Sequence, residues 1–207
     1  MNYTASKVDP RIVYFDQLAP RWDTHCSNPA AVLERLRGLR PRLPLHAGQR
    51  LLEVGCGTGQ ITGWLAEQVA PGRVTAVDFS PAMLALARAR GVSADFLEAD
   101  VCQGPPPGGP YDGVLCFNAF PHFRDQDAAL RHLAAVLKPE GVLVVLHLCG
   151  SEALNEFHHQ LQGPVTHDHL PPLDCWPLML RDAGLVYEEG EDQADLFLVK
   201  ARRPARG

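Results

Sequence analysis

No stretch of the sequence approaches the roughly 18 apolar residues that a membrane span needs. No basic segment followed by an apolar run opens the chain, so no secretion signal is expected. Positive charge is also scarce. Nineteen Lys and Arg stand against 24 Asp and Glu, a formal net charge of −5. Nucleic-acid binders favour basic surfaces. The basic cluster in this chain is the tail Lys200-Ala201-Arg202-Arg203-Pro204-Ala205-Arg206, which reads as a solvated terminus. A nucleic-acid partner is therefore not expected. Cysteine pairs at C-x-x-C spacing are missing as well. The six cysteines are scattered, and Cys56, Cys116 and Cys149 fall in or beside apolar runs. They read as reduced thiols of a cytoplasmic protein, acting as small apolar residues and not as a disulfide framework. Internal repeats and a second domain are absent too, and 207 residues suit one α/β domain.

What is present is an alternation of apolar runs and helical periods. Asn28 caps and Pro29 starts a helix to Leu39, with Val32, Leu33, Leu36 and Leu39 on one face. Strands are expected at about 50–55, 73–78, 94–98, 111–117 and 142–148, with helices at about 59–69, 81–90 and 125–137 between them. Ser80 and Pro81 start the second of these helices, and Gly91 ends it. Three prolines and three glycines between Gln103 and Pro110 forbid helix and strand. Helices at 151–162 and 173–183 and a pair of strands near 185–189 and 196–200 close the chain. Strands alternating with helices imply a doubly wound, mostly parallel sheet.

Within that pattern, Leu51-Leu52-Glu53-Val54-Gly55-Cys56-Gly57-Thr58-Gly59 reads as a buried strand entering a glycine-rich turn and then a helix. Asp78 follows Gly59 by 19 residues, at the end of the next apolar run. A strand, a glycine turn, a helix and an acid about 20 residues on suit a nucleoside cofactor. The glycines let backbone approach the ligand, and the acid accepts from ribose hydroxyls. The spacing is G-x-G-x-G, with Gln60 where a dinucleotide binder needs its third glycine. Glu53, two residues before the first glycine, suits an amine-bearing or cationic ligand better than a diphosphate.

Glu53-Val54-Gly55-Cys56-Gly57-Thr58-Gly59 resembles motif I of the class I S-adenosylmethionine (SAM)-dependent methyltransferases. Asp78-Phe79-Ser80-Pro81-Ala82-Met83-Leu84 resembles that family's ribose segment, and Glu98-Ala99-Asp100-Val101 its adenine-contacting turn. Leu137-Lys138-Pro139-Glu140-Gly141 is similar to its L-K-P-G-G turn, with Glu140 in place of the first glycine. Tyr14-Phe15-Asp16 with Trp22-Asp23 resembles the opening of the branch that includes the ubiquinone/menaquinone-biosynthesis enzymes. The resemblance covers roughly residues 12–148. It implies a seven-stranded Rossmann-like sheet with an antiparallel final strand. It also implies SAM as methyl donor, S-adenosylhomocysteine as product, and a small-molecule acceptor. The expected layout is an N-terminal lid over 1–45, a cofactor core over 46–149, a substrate-side insertion over 150–172 and closing elements over 173–207. By the same resemblance Glu53, Gly55, Cys56, Gly57 and Gly59 face the methionine part and Asp78 takes the ribose. Phe79 and Met83 flank the adenine beside Asp100 and Val101. Asn118 borders the crevice, and Tyr14 and Trp22 belong to the lid.

Methyl transfer from a sulfonium needs no covalent nucleophile, so a missing triad is no objection. A base helps only where the acceptor must lose a proton. His122, leaving the fourth strand, is one candidate. His167 and His169, in a histidine-rich stretch beginning at His158-His159, are two more. That stretch also admits a metal site or plain solvated histidines; its spacing fits no metal motif, and no metal is expected. Rival readings are a nicotinamide-dependent oxidoreductase, a nucleic-acid methyltransferase and a non-catalytic SAM-binding protein. Asn118-Ala119-Phe120-Pro121 lacks the proline pair of the adenine-modifying enzymes.

Overall fold

The computed structural model describes residues 9–25 and 28–205. Arg206, the end of the basic tail, lies outside them. Seven strands form one sheet: β1 (Arg50–Val54), β2 (Arg73–Asp78), β3 (Asp95–Glu98), β4 (Tyr111–Phe117), β5 (Leu137–His147), β6 (Val186–Gln193) and β7 (Leu196–Arg202). Their order is β3-β2-β1-β4-β5-β7-β6. All neighbours pair in parallel except β7, which runs antiparallel between β5 and β6. The expected doubly wound sheet with its antiparallel last strand is therefore what this chain forms.

The strands are apolar on both faces because helices cover both. Leu51, Val74, Leu115 and Val144 meet α3 (Pro29–Leu39), α4 (Thr62–Val69) and α5 (Pro81–Ala89). Leu52, Val77, Val114 and Val145 meet α6 (Gln126–Val136) and α8 (Trp176–Asp182) on the other side. Trp176, Tyr111, Phe120 and Phe197 are the largest wholly buried side chains. The remaining helices are α1 (Pro10–Leu18), α2 (Trp22–His25) and α7 (Ser151–Gln160). None of the described helices is long and apolar enough to cross a membrane.

Two element ends differ from the periodicity. β5 begins at Leu137 and not at Val142, because Leu137 already pairs with β4 and the Lys138–Gly141 segment bulges out before pairing resumes at Val142. Leu137 lies opposite Tyr111, and Glu140 N–H donates to the Arg203 carbonyl at 2.9 Å. Glu140 occupies φ +64°, a left-handed conformation that favours glycine. The last strand pair runs to Gln193 and Arg202, several residues past its apolar stretch. An antiparallel hairpin continues as long as backbone groups pair, whatever the side chains.

The N-terminal segment lies across the carboxyl ends of the strands as a separate apolar unit. Phe15 and Ala19 pack on Met83 and Val165, with Trp22 and Phe79 beside them. Aspartates fasten it. Asp16 accepts from Ser80 Oγ at 2.5 Å and from Ala82 N–H at 3.1 Å, at the start of α5. Asp23 accepts from Thr58 Oγ1 at 2.5 Å and from Gln60 at 2.8 Å, and pairs with Arg90.

Candidate active site

In an open parallel sheet, ligands settle outside the carboxyl ends of strands where the strand order reverses. Here that point lies between β1 and β4. A cleft opens there under α1. Val54, Gly55 and Gly57 floor it, with Asp78, Phe79, Met83, Asp100, Val101, Asn118 and His122 around them, and Phe15 and Trp22 reach in from the N-terminal segment.

The glycine turn has two distinct reasons for its residues. Gly55 has φ +69°, and a Cβ there would lie 2.4 Å from that of Ala119, so the loop after β4 can close on it only if it is glycine. Gly57 has φ +53° with no such neighbour; its backbone conformation sets the residue, and the open space belongs to the cleft. Gly57 N–H donates to Asp78 Oδ2 at 2.8 Å, and Ser80 N–H donates to Oδ1 at 2.9 Å. Burial pushes the Asp78 carboxyl up to about 6, and the two amide donors limit the rise. Each carboxylate oxygen keeps a lone pair for a further donor. An acid with unused acceptor capacity, backed by apolar Phe79, Met83 and Val101, fits a nucleoside: ribose on the acid, base on the apolar wall.

Several expected cofactor contacts lie behind the cleft and not in it. Glu53 is 1% exposed and accepts from Thr62 Oγ1 at 2.7 Å. Burial first, and then the charge of Asp78, raise its carboxyl to about 8. Cys56 is buried beneath the turn, and burial pushes its thiol well up. Gly59 abuts Ala87 of α5. Tyr14 packs edge-on against Phe15 at 5.4 Å and faces Gly163. Successive strand residues point to opposite sides, so Glu53 turns away from the cleft that Val54 lines, and a motif cannot tell floor from foundation.

On the far side, a 3₁₀ turn at Phe120–His122 brings His122 to the cleft. Its Nδ1 lies 2.8 Å from Asp168 Oδ2. Asp168 sits between the two histidines singled out by sequence. His167 and His169 are exposed and border a neighbouring surface cavity, while the Asp168 side chain is 1% exposed and turned inward. Arg11 Nε and Nη2 donate to Asp168 Oδ1 at 3.1 and 2.5 Å. Burial alone would raise the Asp168 carboxyl; the bonds from His122 and Arg11 outweigh it and bring it below the usual range. His158 is buried, its Nδ1 2.9 Å from the Asp168 carbonyl and its ring 5.1 Å from that of His122. Burial, with the nearby His122, lowers the His158 imidazole. His147, deeper still, is pushed down to about 3 by burial. Arg11 and Asp168 carry no local sequence signal; a histidine cluster flanking one acid was the available hint. Among the described residues, no three His, Cys, Asp or Glu side chains group as a metal site.

Residues 51–141 match the model of a methyltransferase domain. The chain is 38% identical over 139 residues to a demethylmenaquinone methyltransferase of Thermus thermophilus, covering 64% of this chain and 63% of that one. It spans less than two thirds of the first curated relatives it matches. It is also 32% identical to a ubiquinone biosynthesis O-methyltransferase of Xanthomonas euvesicatoria pv. vesicatoria, over 91% of this chain and 83% of that one. Among solved structures, the [4+2]-cyclase SpnF superposes with a TM-score of 0.75 at 21% identity, over 94% of this chain and 95% of that one. That likeness speaks for the fold alone. The Xanthomonas relative runs alongside nine tenths of the chain, far beyond any shared motif, and the chain is a member of the class I SAM-dependent methyltransferase family.

Proposed function

We propose that this chain transfers a methyl group from SAM to a small molecule bearing a hydroxyl. Bound SAM supplies an electrophilic methyl on a sulfonium. Asp78 holds the ribose, Phe79, Met83 and Val101 sandwich the base, Asp100 accepts its amino group, and the Gly55–Gly57 backbone leaves room for the amino-acid part. Phe15 and Trp22 cover the cleft and exclude water. His122 takes the acceptor's proton.

The observation that carries the acceptor class is the His122–Asp168 bond of 2.8 Å at the cleft wall. A carboxylate only accepts, so Nδ1 is the donor and Nε2 keeps a basic lone pair. Such a base is of most use to a hydroxyl. Carboxylic acids are already ionised near neutrality, and thiols need little help. The name of the Xanthomonas relative, an O-methyltransferase, supports the same reading. The net charge of −5 favours a free small molecule over nucleic acid. The described cysteines, all free, suit a reducing cytoplasm.

The test is calorimetry with S-adenosylhomocysteine and NAD, beside a turnover screen that reads demethylated cofactor across hydroxyl, amine, thiol and carbon acceptors. Binding of the first ligand alone, with turnover concentrated among hydroxyls, is expected. Tight NAD binding without uptake of the homocysteine would overturn the reading.

A further inference from the structure

Arg11 links two parts of the molecule that the methyl-transfer reading leaves separate. It sits in the first turn of α1, yet its guanidinium reaches Asp168, the residue that orients the base. Asp9, which caps the same helix, pairs with Arg124 at 3.2 Å, and Arg124 reaches Asp100 at 3.4 Å. A row of alternating charges results, Asp100, Arg124, Asp9, Arg11 and Asp168, and it ends at His122. Arg11 and Asp9 approach within 3.9 Å.

We propose that Arg11 and Asp168 are a paired positioning device that orients the His122 ring and balances the charge beside it. This rests on His122 acting as the base. Asp168 alone would do half the task. A buried carboxylate with no other partner favours the imidazolium over the neutral ring. Arg11 cancels that charge while leaving the hydrogen bond intact. The Asp168–Arg11 pair is then neutral as a unit, and the ring donates from Nδ1 while Nε2 stays free. The acceptor's proton passes to Nε2 as its oxygen attacks the methyl carbon and S-adenosylhomocysteine leaves.

The other ionisable neighbours do not substitute for Arg11. Burial lowers the His158 and His147 imidazoles and raises the Tyr14 phenol, each towards its neutral form, and Arg124 is held by Asp9 and Asp100. Asp78 is an acid and would act in the same sense as Asp168.

The pair predicts opposite responses to two substitutions, which mere structural damage does not. Arg11→Gln leaves an unbalanced carboxylate, so the acid limb of the log kcat profile moves to higher pH. Asp168→Asn leaves an unbalanced guanidinium and moves it to lower pH. A displacement of about 1 pH unit or more is expected in each direction. The double variant returns towards the wild-type position, and Arg11→Lys restores most of it. In Arg11→Gln the rate lost at pH 7 recovers at higher pH. In Asp168→Asn kcat stays at least about tenfold down because an amide no longer fixes the tautomer, with KM for SAM little changed.

An independent readout is the ring titration of His122, followed by nitrogen-15 NMR in protein saturated with S-adenosylhomocysteine. It needs no acceptor and should show the same opposed displacements. Shifts of the same sign, or none, overturn the pairing. If NMR shows opposed shifts while no hydroxyl acceptor turns over, the pairing stands and the hydroxyl reading fails. Should Asp168→Asn fail to fold, Arg11→Gln against Arg11→Lys decides alone: an unmoved ring titration in Arg11→Gln sinks the proposal.

Discussion

The two sides of the cleft are built on different principles. The side proposed to hold the cofactor draws Val54, Gly55, Gly57, Asp78, Phe79, Met83, Asp100 and Val101 from three successive strand ends within fewer than fifty residues. Its parts follow directly on those strand ends: a glycine turn, helix starts and the side chains beside them. The proposed acceptor side draws Arg11, His122, His158 and Asp168 from α1, the turn after β4, α7 and the loop beyond it. Its parts are side chains held by one another. A site built on consecutive strand ends is specified by local sequence. A site made of side chains from distant segments is specified by where the fold carries them. The first suits a ligand common to a whole family, and the second can change without disturbing it.

The largest effect expected is a clean separation of the two sides. Asp78→Ala removes a carboxylate that accepts charge-assisted bonds of about 1.5–3 kcal/mol each. Affinity for S-adenosylhomocysteine, read by calorimetry, should fall by two orders of magnitude or so. His122→Ala should leave that affinity within about twofold but lower kcat by about two orders or more. Comparable loss of cofactor affinity in both variants would mean that the cleft is one site and not two halves.

A second experiment concerns the foundation beneath the cofactor side. Glu53 has its carboxyl raised from 4.5 to about 8, chiefly by burial. The folded state therefore holds this proton more tightly than the unfolded chain. Its contribution to stability is complete below pH 4.5 and is lost as pH rises through about 8. Glu53→Gln has no proton to lose. The melting temperature of the wild type relative to Glu53→Gln should thus decline between pH 5 and pH 8, by a few degrees or more. Asp78 is common to both proteins and largely cancels. A difference that stays flat across this window would show Glu53 ionised inside the fold and the turn differently balanced.

The smallest effect tests the outer limit of the acceptor side. His167→Ala and His169→Ala change exposed rings on a neighbouring cavity. Each should keep kcat and the acceptor KM within about twofold in initial-rate assays. A tenfold fall in either would extend the acceptor side outward past Asp168.

Reading the sequence located the sheet, its crossover helices and the floor of the cleft, because each leaves a periodic or positional trace. Val142–Leu146 is apolar on both faces since β5 is covered on both. Gly55 and Asp78 stand where a β-strand ends. The same reading placed Glu53 and Cys56 among the ligand contacts, although both lie beneath the turn. It also pointed to His167 and His169 while the inward residue was Asp168 between them. Alternation tells that neighbours face opposite ways; it does not tell which way is in when the segment is a loop.

By itself, then, the chain's order of residues determined the architecture and a nucleoside-shaped corner. Hydrophobic period, capping residues and glycine spacing act over a few residues and survive without knowledge of the rest. The base with its acid and its arginine was decided only by the tertiary structure. Their partners lie 46 and 157 positions apart, and charges so distant along a chain meet only after burial has folded it.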